Sequence, residues 1–195
     1  DFTLRFDLSS ISLIVLFVFI ATMPSLAMAM RPMPKIISHA QEYKKAVAVI
    51  MPTKGHKVQG SFHFLQAPNG VKVTAVLTGL TPNQNHGVHI HQYGDISDQE
   101  FGKSAGPHYN PDGNPHGLPP NPKRHAGAFG NLLANQYGEA RFEFLDDTIT
   151  IVGRKNPIIG RTVVVHKNPD TGAQPAGNAG PRIGLGVIGL AKSSK

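Results

Sequence analysis

The sequence predicts an all-β domain, an antiparallel barrel or sandwich of eight strands carrying two long loops. Three observations predict it. Short apolar segments recur at close spacing, several with strict alternation. Glycine (21) and proline (16) are abundant, which favours many turns over long helices. No convincing helical period or internal repeat interrupts the pattern.

The strands follow in order. Residues 45–51 (KAVAVIM) alternate weakly, and residues 58–66 (VQGSFHFLQ) and 71–79 (VKVTAVLTG) alternate clearly. Between the last two lies Ala67-Pro68-Asn69-Gly70, a turn in which Pro presets φ and Asn-Gly accepts positive φ. Residues 86–93 form the fourth strand. Residues 94–126 then lose all periodicity and are rich in Gly, Pro, Asn and His, and a structureless stretch this long is usually functional. Strands resume at 127–134, 139–145, 161–166 and 183–190, with a second irregular loop at 167–182.

The N-terminus reads as a separable leader. The apolar run SISLIVLFVFIATM at 10–23 is short for a membrane span, and SLAMA at 25–29 has the small-x-small pattern of a signal-peptidase site. Residues 1–29 are therefore expected to be a secretory signal peptide, incomplete at its start because no Met opens it, with a retained anchor as the alternative. Residues 30–44 are a linker, 45–192 the domain and 193–195 a tail. The expected location is secreted or extracellular, with no membrane attachment after cleavage.

Composition narrows the chemistry. There is no cysteine, so thiolate metal sites, thiol catalysis and disulfide staples are excluded. The net charge is +7, but basic residues are scattered and only Lys123-Arg124 approaches a cluster. That distribution argues against nucleic acid and is compatible with a small anionic substrate.

The segment GVHIHQYGD at 87–95 points to a metal. On a strand, residues i and i+2 share a face, so His89 and His91 face away from Val88 and Ile90. Neutral imidazole is the commonest protein metal ligand. Of ten histidines, His89, His91, His108, His116, His125 and His166 lie on or beside the long loops or at strand ends. A metal site accounts for that concentration better than a polar surface does. His39, His56 and His63 read as ordinary surface residues.

Five segments together resemble the copper/zinc superoxide dismutase family: HGVHIHQYGD at 86–95, SAGPHYNP at 104–111, RHAGAFGN at 124–131, GRTVVVHKNPDTG at 160–172 and GNAGPRIGLGVIGLA at 177–191. The resemblance runs from about Lys45 to Ala191. It implies an eight-stranded Greek-key β-barrel and copper-dependent disproportionation of superoxide to oxygen and hydrogen peroxide. It further implies copper ligands at His89, His91, His108 and His166, and zinc ligands at His108, His116 and His125, with His108 shared. Asp170 matches a carboxylate linking a copper-side to a zinc-side histidine. Arg182 matches an arginine that guides the anion, and His86 a structural histidine. Ile158-Ile159-Gly160 and Gly186-Val187-Ile188-Gly189 match dimer-forming stretches, implying a homodimer.

The sequence departs from the family in three places. Ala128 stands where the family has a zinc-ligating Asp, so zinc is expected to bind more weakly, with Asp95, Asp98 or Asp112 as conceivable substitutes. Gly102 and Leu185 stand where the family has its disulfide, with packing by Leu185 expected to return part of the loss. The 167–182 loop is short and lacks the family's acidic and lysine-bearing segment, leaving steering to Arg182 and overall basicity. Two other readings stay open: a catalytically inactive zinc-only protein on the same fold, and a metal-free interaction module.

Overall fold

A computed structural model describes residues 43–192. The leader, the linker up to residue 42, the tail 193–195 and His39 lie outside the described residues.

The strands are Lys45–Pro52 (β1), Gln59–Ala67 (β2), Gly70–Thr78 (β3), Asn85–His91 (β4), Ala128–Leu133 (β5), Ala140–Asp146 (β6), Thr162–His166 (β7), Arg182–Val187 (β8) and Gly189–Leu190 (β9). A 3-10 turn at Lys103–Ala105 is the sole helical piece among the described residues. The predicted strands are all present, with two corrections. The fourth stops at His91, because the Gln92 and Tyr93 N–H groups donate to Pro107 and Ala105 of the long loop. The eighth is divided. β7 ends its pairing at Thr162 opposite Val187, and Gly189–Leu190 pairs instead with Val47 and Ala46 of β1. The β2–β3 turn is a two-residue link closed by the Ala67–Gly70 pair, and Gly70, not Asn69, takes the positive φ.

The strand order is β5-β4-β7-β8-β1-β2-β3-β6, all antiparallel, with β9 beside β1. The edge strands β5 and β6 lie against each other, so the sheet forms a nearly closed barrel. β3 neighbours β6 and β4 neighbours β7, the crossover of a Greek key.

Alternation supplies the core. Phe62 and Phe64 of β2 and Val71, Val73, Ala75 and Leu77 of β3 point inward and are buried. Each large side chain so buried contributes about 1.5–3 kcal/mol. Arg124, at the end of the first long loop, is buried and donates to the Asp146 carboxylate of β6 at 3.0 Å, which fixes that loop to the barrel wall.

β4 positions the site. Val88 and Ile90 enter the core. His89 and His91 face the other way, as the period of two requires, yet they are buried too. The long loops cover that face. The sheet register shifts between Val88 and His89 and again between Val165 and His166. Such irregularities re-aim a side chain, and both fall at histidines of the site.

Candidate metal centre

Four imidazoles converge. One ring nitrogen from each of His89, His91, His108 and His166 lies within 4.8 Å of the others, and all four residues are buried. His89 and His91 come from β4, His166 from the end of β7, and His108 from the first long loop. His108 reaches β4 through an isolated bridge opposite His91. Its ring stacks on His89 with centroids 3.9 Å apart.

In three of these rings one nitrogen is tied and the other free. His91 Nδ1 donates to the Gly106 carbonyl at 2.7 Å and His166 Nδ1 to the Gly180 carbonyl at 3.0 Å. His89 Nε2 meets the Asp170 carboxylate at 2.7 Å. The opposite atoms, His89 Nδ1, His91 Nε2 and His166 Nε2, are buried with no hydrogen-bond partner among the described residues. A buried polar atom left unpaired is costly. Three of them aimed into one cluster are what a metal ion would satisfy, so the donor set fits copper.

Electrostatics agree. Burial lowers the pKa of His91 well below the usual imidazole value, helped by His166 and Arg182 nearby. Burial and the neighbouring His89 lower His166 to about 3. Burial also lowers His89, against the pull of Asp170. His108 is lowered by burial and by His89 and His91. The rings are thus neutral, the form that binds metals.

A second cluster joins His108, His116 and His125. His108 Nδ1 and His125 Nδ1 are 3.2 Å apart, and His116 Nδ1 is 3.5 Å from the same His125 atom. Three Nδ1 atoms so close fit one zinc ion with a corner to spare, since zinc prefers four donors. Ala128 is fully buried at the start of β5 and offers no donor. The conceivable substitutes are engaged elsewhere. Asp95 accepts from Ser97 N, and Asp98 from the backbone of Glu100, Phe101 and Lys103. Asp112 accepts from Asn156. None of the three joins either cluster among the described residues.

Asp170 links the two clusters. Its carboxylate lies 2.7 Å from His89 Nε2 and 2.9 Å from His116 Nε2. Burial pushes its pKa up, but the bonds from His89, His116 and Gly172 N–H outweigh that and hold it below the usual carboxylate range. An ionised carboxylate on these two Nε2 atoms turns both Nδ1 lone pairs toward the metal positions.

Arg182, half-buried at the start of β8, donates from Nη1 to Gly102 O at 2.6 Å and from Nη2 to Gly106 O at 2.8 Å. It borders an open groove with His91, His108 and His166. Arg161 and Arg182 are the only Lys, Arg, Asp or Glu on that groove's wall among the described residues. His86 stands apart as expected, its Nδ1 bonding His166 O at 2.9 Å behind the site. His56 and the exposed His63 join neither cluster.

Several contributors gave no sequence signal. Asn131 accepts from Asp170 N at 2.7 Å and donates to Asp170 O at 2.8 Å, clamping that residue's backbone. Gln174 does the same for His116 at 2.9 and 2.8 Å. Gly177 has φ +74, and a Cβ there would strike Asp170 Oδ1. Only the fold brings these groups together.

A family model described as copper/zinc superoxide dismutase matches residues 58–188. The chain belongs to the copper/zinc superoxide dismutase family. It is 40% identical over 157 residues to "Superoxide dismutase [Cu-Zn]" of Paramecium bursaria Chlorella virus 1, covering 77% of this chain and 82% of that protein. It is 41% identical over 154 residues to "Superoxide dismutase [Cu-Zn] 2" of Brassica juncea, covering 75% and 97%. As a family member the protein is a superoxide dismutase, an oxidoreductase using copper and zinc. Within this family the chain carries no cysteine and has alanine at position 128.

Proposed function

We propose that the protein disproportionates superoxide to oxygen and hydrogen peroxide with copper held by His89, His91, His108 and His166, and zinc beside it at His108, His116 and His125. The observation that carries this reading is the trio of buried, unpartnered nitrogens at His89, His91 and His166. Copper, when bound, supplies the one-electron cycle, which zinc cannot.

The chain's own residues do the rest. Arg182 presents a fixed guanidinium on the groove where the anion arrives, and Arg161 adds positive charge on the same wall. His108 belongs to both clusters; its Nδ1 lies beside His125 Nδ1, which leaves Nε2 for the four-histidine side, where with copper bound it would take up a proton and pass it to the product. Asp170 holds two rings in one tautomer.

Secretion rests on the leader pattern at 10–29. The homodimer rests on a narrower surface than the matched stretches suggest. Ile158 and Ile188 are buried in their own core, which leaves half-buried Ile159 and exposed Val187. Sedimentation of the 45–192 domain within the full chain reads the oligomeric state.

The test of the function is metal content followed by activity. The purified protein is expected to hold one copper per chain and to dismute superoxide, with activity lost on chelation and regained with copper. Zinc alone at the four-histidine site, with no activity after copper loading, overturns it in favour of the inactive zinc form. Binding of neither metal favours the interaction module. Arg182→Ala is expected to slow turnover with copper retained.

A further inference from the structure

The segment between Gly94 and Pro107 carries groups that the site depends on. Gly102 O and Gly106 O hold the two arms of the Arg182 guanidinium, and Gly106 O also accepts from His91 Nδ1. The segment folds upon itself through Asp98, whose carboxylate accepts three of its own N–H groups, and through Ser104, which donates to Asp95 O at 2.9 Å. Those bonds are internal, so they give the segment a shape without fixing it to the barrel.

Outside the segment, Lys54 donates its backbone N–H to Gln99 O at 2.8 Å and pairs at its exposed Nζ with Glu100, and a small apolar cluster, separate from the main core, makes the buried attachment. It consists of Ala105, Val164 and Leu185, each fully buried, with Ile96 packed against them. Val164 and Leu185 are directly paired across β7 and β8. Ile96 and Ala105 come from the loop. Leu185 also meets the loop backbone. A Cβ added to Gly102 would lie 3.0 and 3.1 Å from its two methyl carbons, and 3.3 Å from Arg182 Cδ. Leu185 therefore fills the space that a side chain at Gly102 would need. The chain has no cysteine, so this contact cannot be replaced by a disulfide.

We propose that Leu185, seated against Gly102 over Val164 and Ala105, is a positioning residue for anion capture, because it fixes the loop carbonyls that aim the Arg182 guanidinium. Truncation lets the loop lift, and the guanidinium follows it while its charge is unchanged. The anchor contains no redox-active atom, so it holds equally in reducing and oxidising surroundings. The proposal deepens the dismutase reading and rests on it for the word capture.

The test uses the full chain with Leu185→Ala, Leu185→Met and, as a control in the main core, Leu77→Ala. Leu77 is fully buried on β3 and belongs to the main cluster. The first readout is solvent exchange of the Arg182 side-chain N–H protons in metal-free protein, by nitrogen-resolved NMR. The second is the dissociation constant of azide in the copper-loaded protein, by optical titration. Leu185→Ala is expected to speed the exchange and weaken azide binding, each by about tenfold, with copper content unchanged. Leu185→Met is expected to restore both. Leu77→Ala is expected to lower the melting temperature without changing either. If Leu185→Ala lowers stability and leaves Arg182 exchange at the wild-type rate, or if Leu77→Ala moves both readouts as far, the proposal fails. Wild-type protein that takes no copper overturns the dismutase reading instead, while the exchange measurement still decides the positioning role. Should Leu185→Ala not fold, Leu185→Val takes its place under the same criteria.

Discussion

The two ends of the metal centre differ in how completely the protein builds them. At the four-histidine end, where copper is proposed to sit, three rings come from strands β4 and β7. His91 and His166 are steered by backbone carbonyls, and His89 by Asp170. At the three-histidine end, where zinc is proposed to sit, His116 and His125 lie in the long loop, and the buried Ala128 offers no donor. The difference teaches that rings rooted on paired strands take their places from the barrel, whereas rings rooted on a loop depend on side chains such as Asp170 and Gln174 that clamp the loop. Loss of one donor is tolerable at the second end, because Asp170 and Gln174 still hold His116 in place.

The comparison breaks first, and most, on ligand removal at either end. His91→Ala is expected to abolish copper retention and dismutation, while His125→Ala leaves most copper-dependent activity and removes zinc. Metal analysis and a superoxide assay on both variants check this. Equal loss from both would mean that the ends are not independent. Asp170→Asn touches both ends at once. Affinity for each metal is expected to fall by about 10–100-fold, read by competition with a chelator, because two rings lose the carboxylate that orients them. If only one metal is affected, Asp170 serves one end.

Ala128→Asp sharpens the comparison by giving the weak end its fourth donor. Zinc affinity is expected to rise by about tenfold, or about 1.4 kcal/mol, with copper affinity unchanged. Zinc titration calorimetry measures it.

The smallest effect is on pH dependence without metals. Burial and His89 hold His166 at about 3, and burial and His166 hold His91 well below the usual value. An unfolded imidazole titrates near 6.5. Between those values the unfolded chain binds more protons, so folding stability falls as pH falls from about 6.5 toward 3. Lowering the pH from 7 to 6 is expected to cost the metal-free protein on the order of 0.7 kcal/mol per such ring. Urea midpoints read it. Replacing His91 by Asn is expected to flatten this slope more than replacing His125, whose environment is less enclosed.

Much of this was legible in the chain. Alternation in β2 and β3 marked the strands, and the i, i+2 spacing of His89 and His91 marked a shared face. The limits of the reading were physical too. Alternation at β4 gave the histidines a face of their own without saying what covers it, and the structure buries both faces, since the covering loops have no period to read. The split after Val187 depends on where β7 begins, at Thr162, far away in sequence. Asn131, Gln174 and Gly177 look like ordinary loop residues until Asp170 and His116 are placed beside them.

By itself the sequence determined which residues could bind a metal, because donor chemistry belongs to the side chain. It also determined that no thiol takes part. Tertiary structure alone decided that imidazoles from β4, β7 and the first long loop meet at one point, with their free nitrogens turned inward. Convergence of that kind depends on strand register, on two bulges and on backbone carbonyls contributed by Gly106 and Gly180. A carbonyl is present at every residue, so nothing in the order of amino acids says which one will aim a ring.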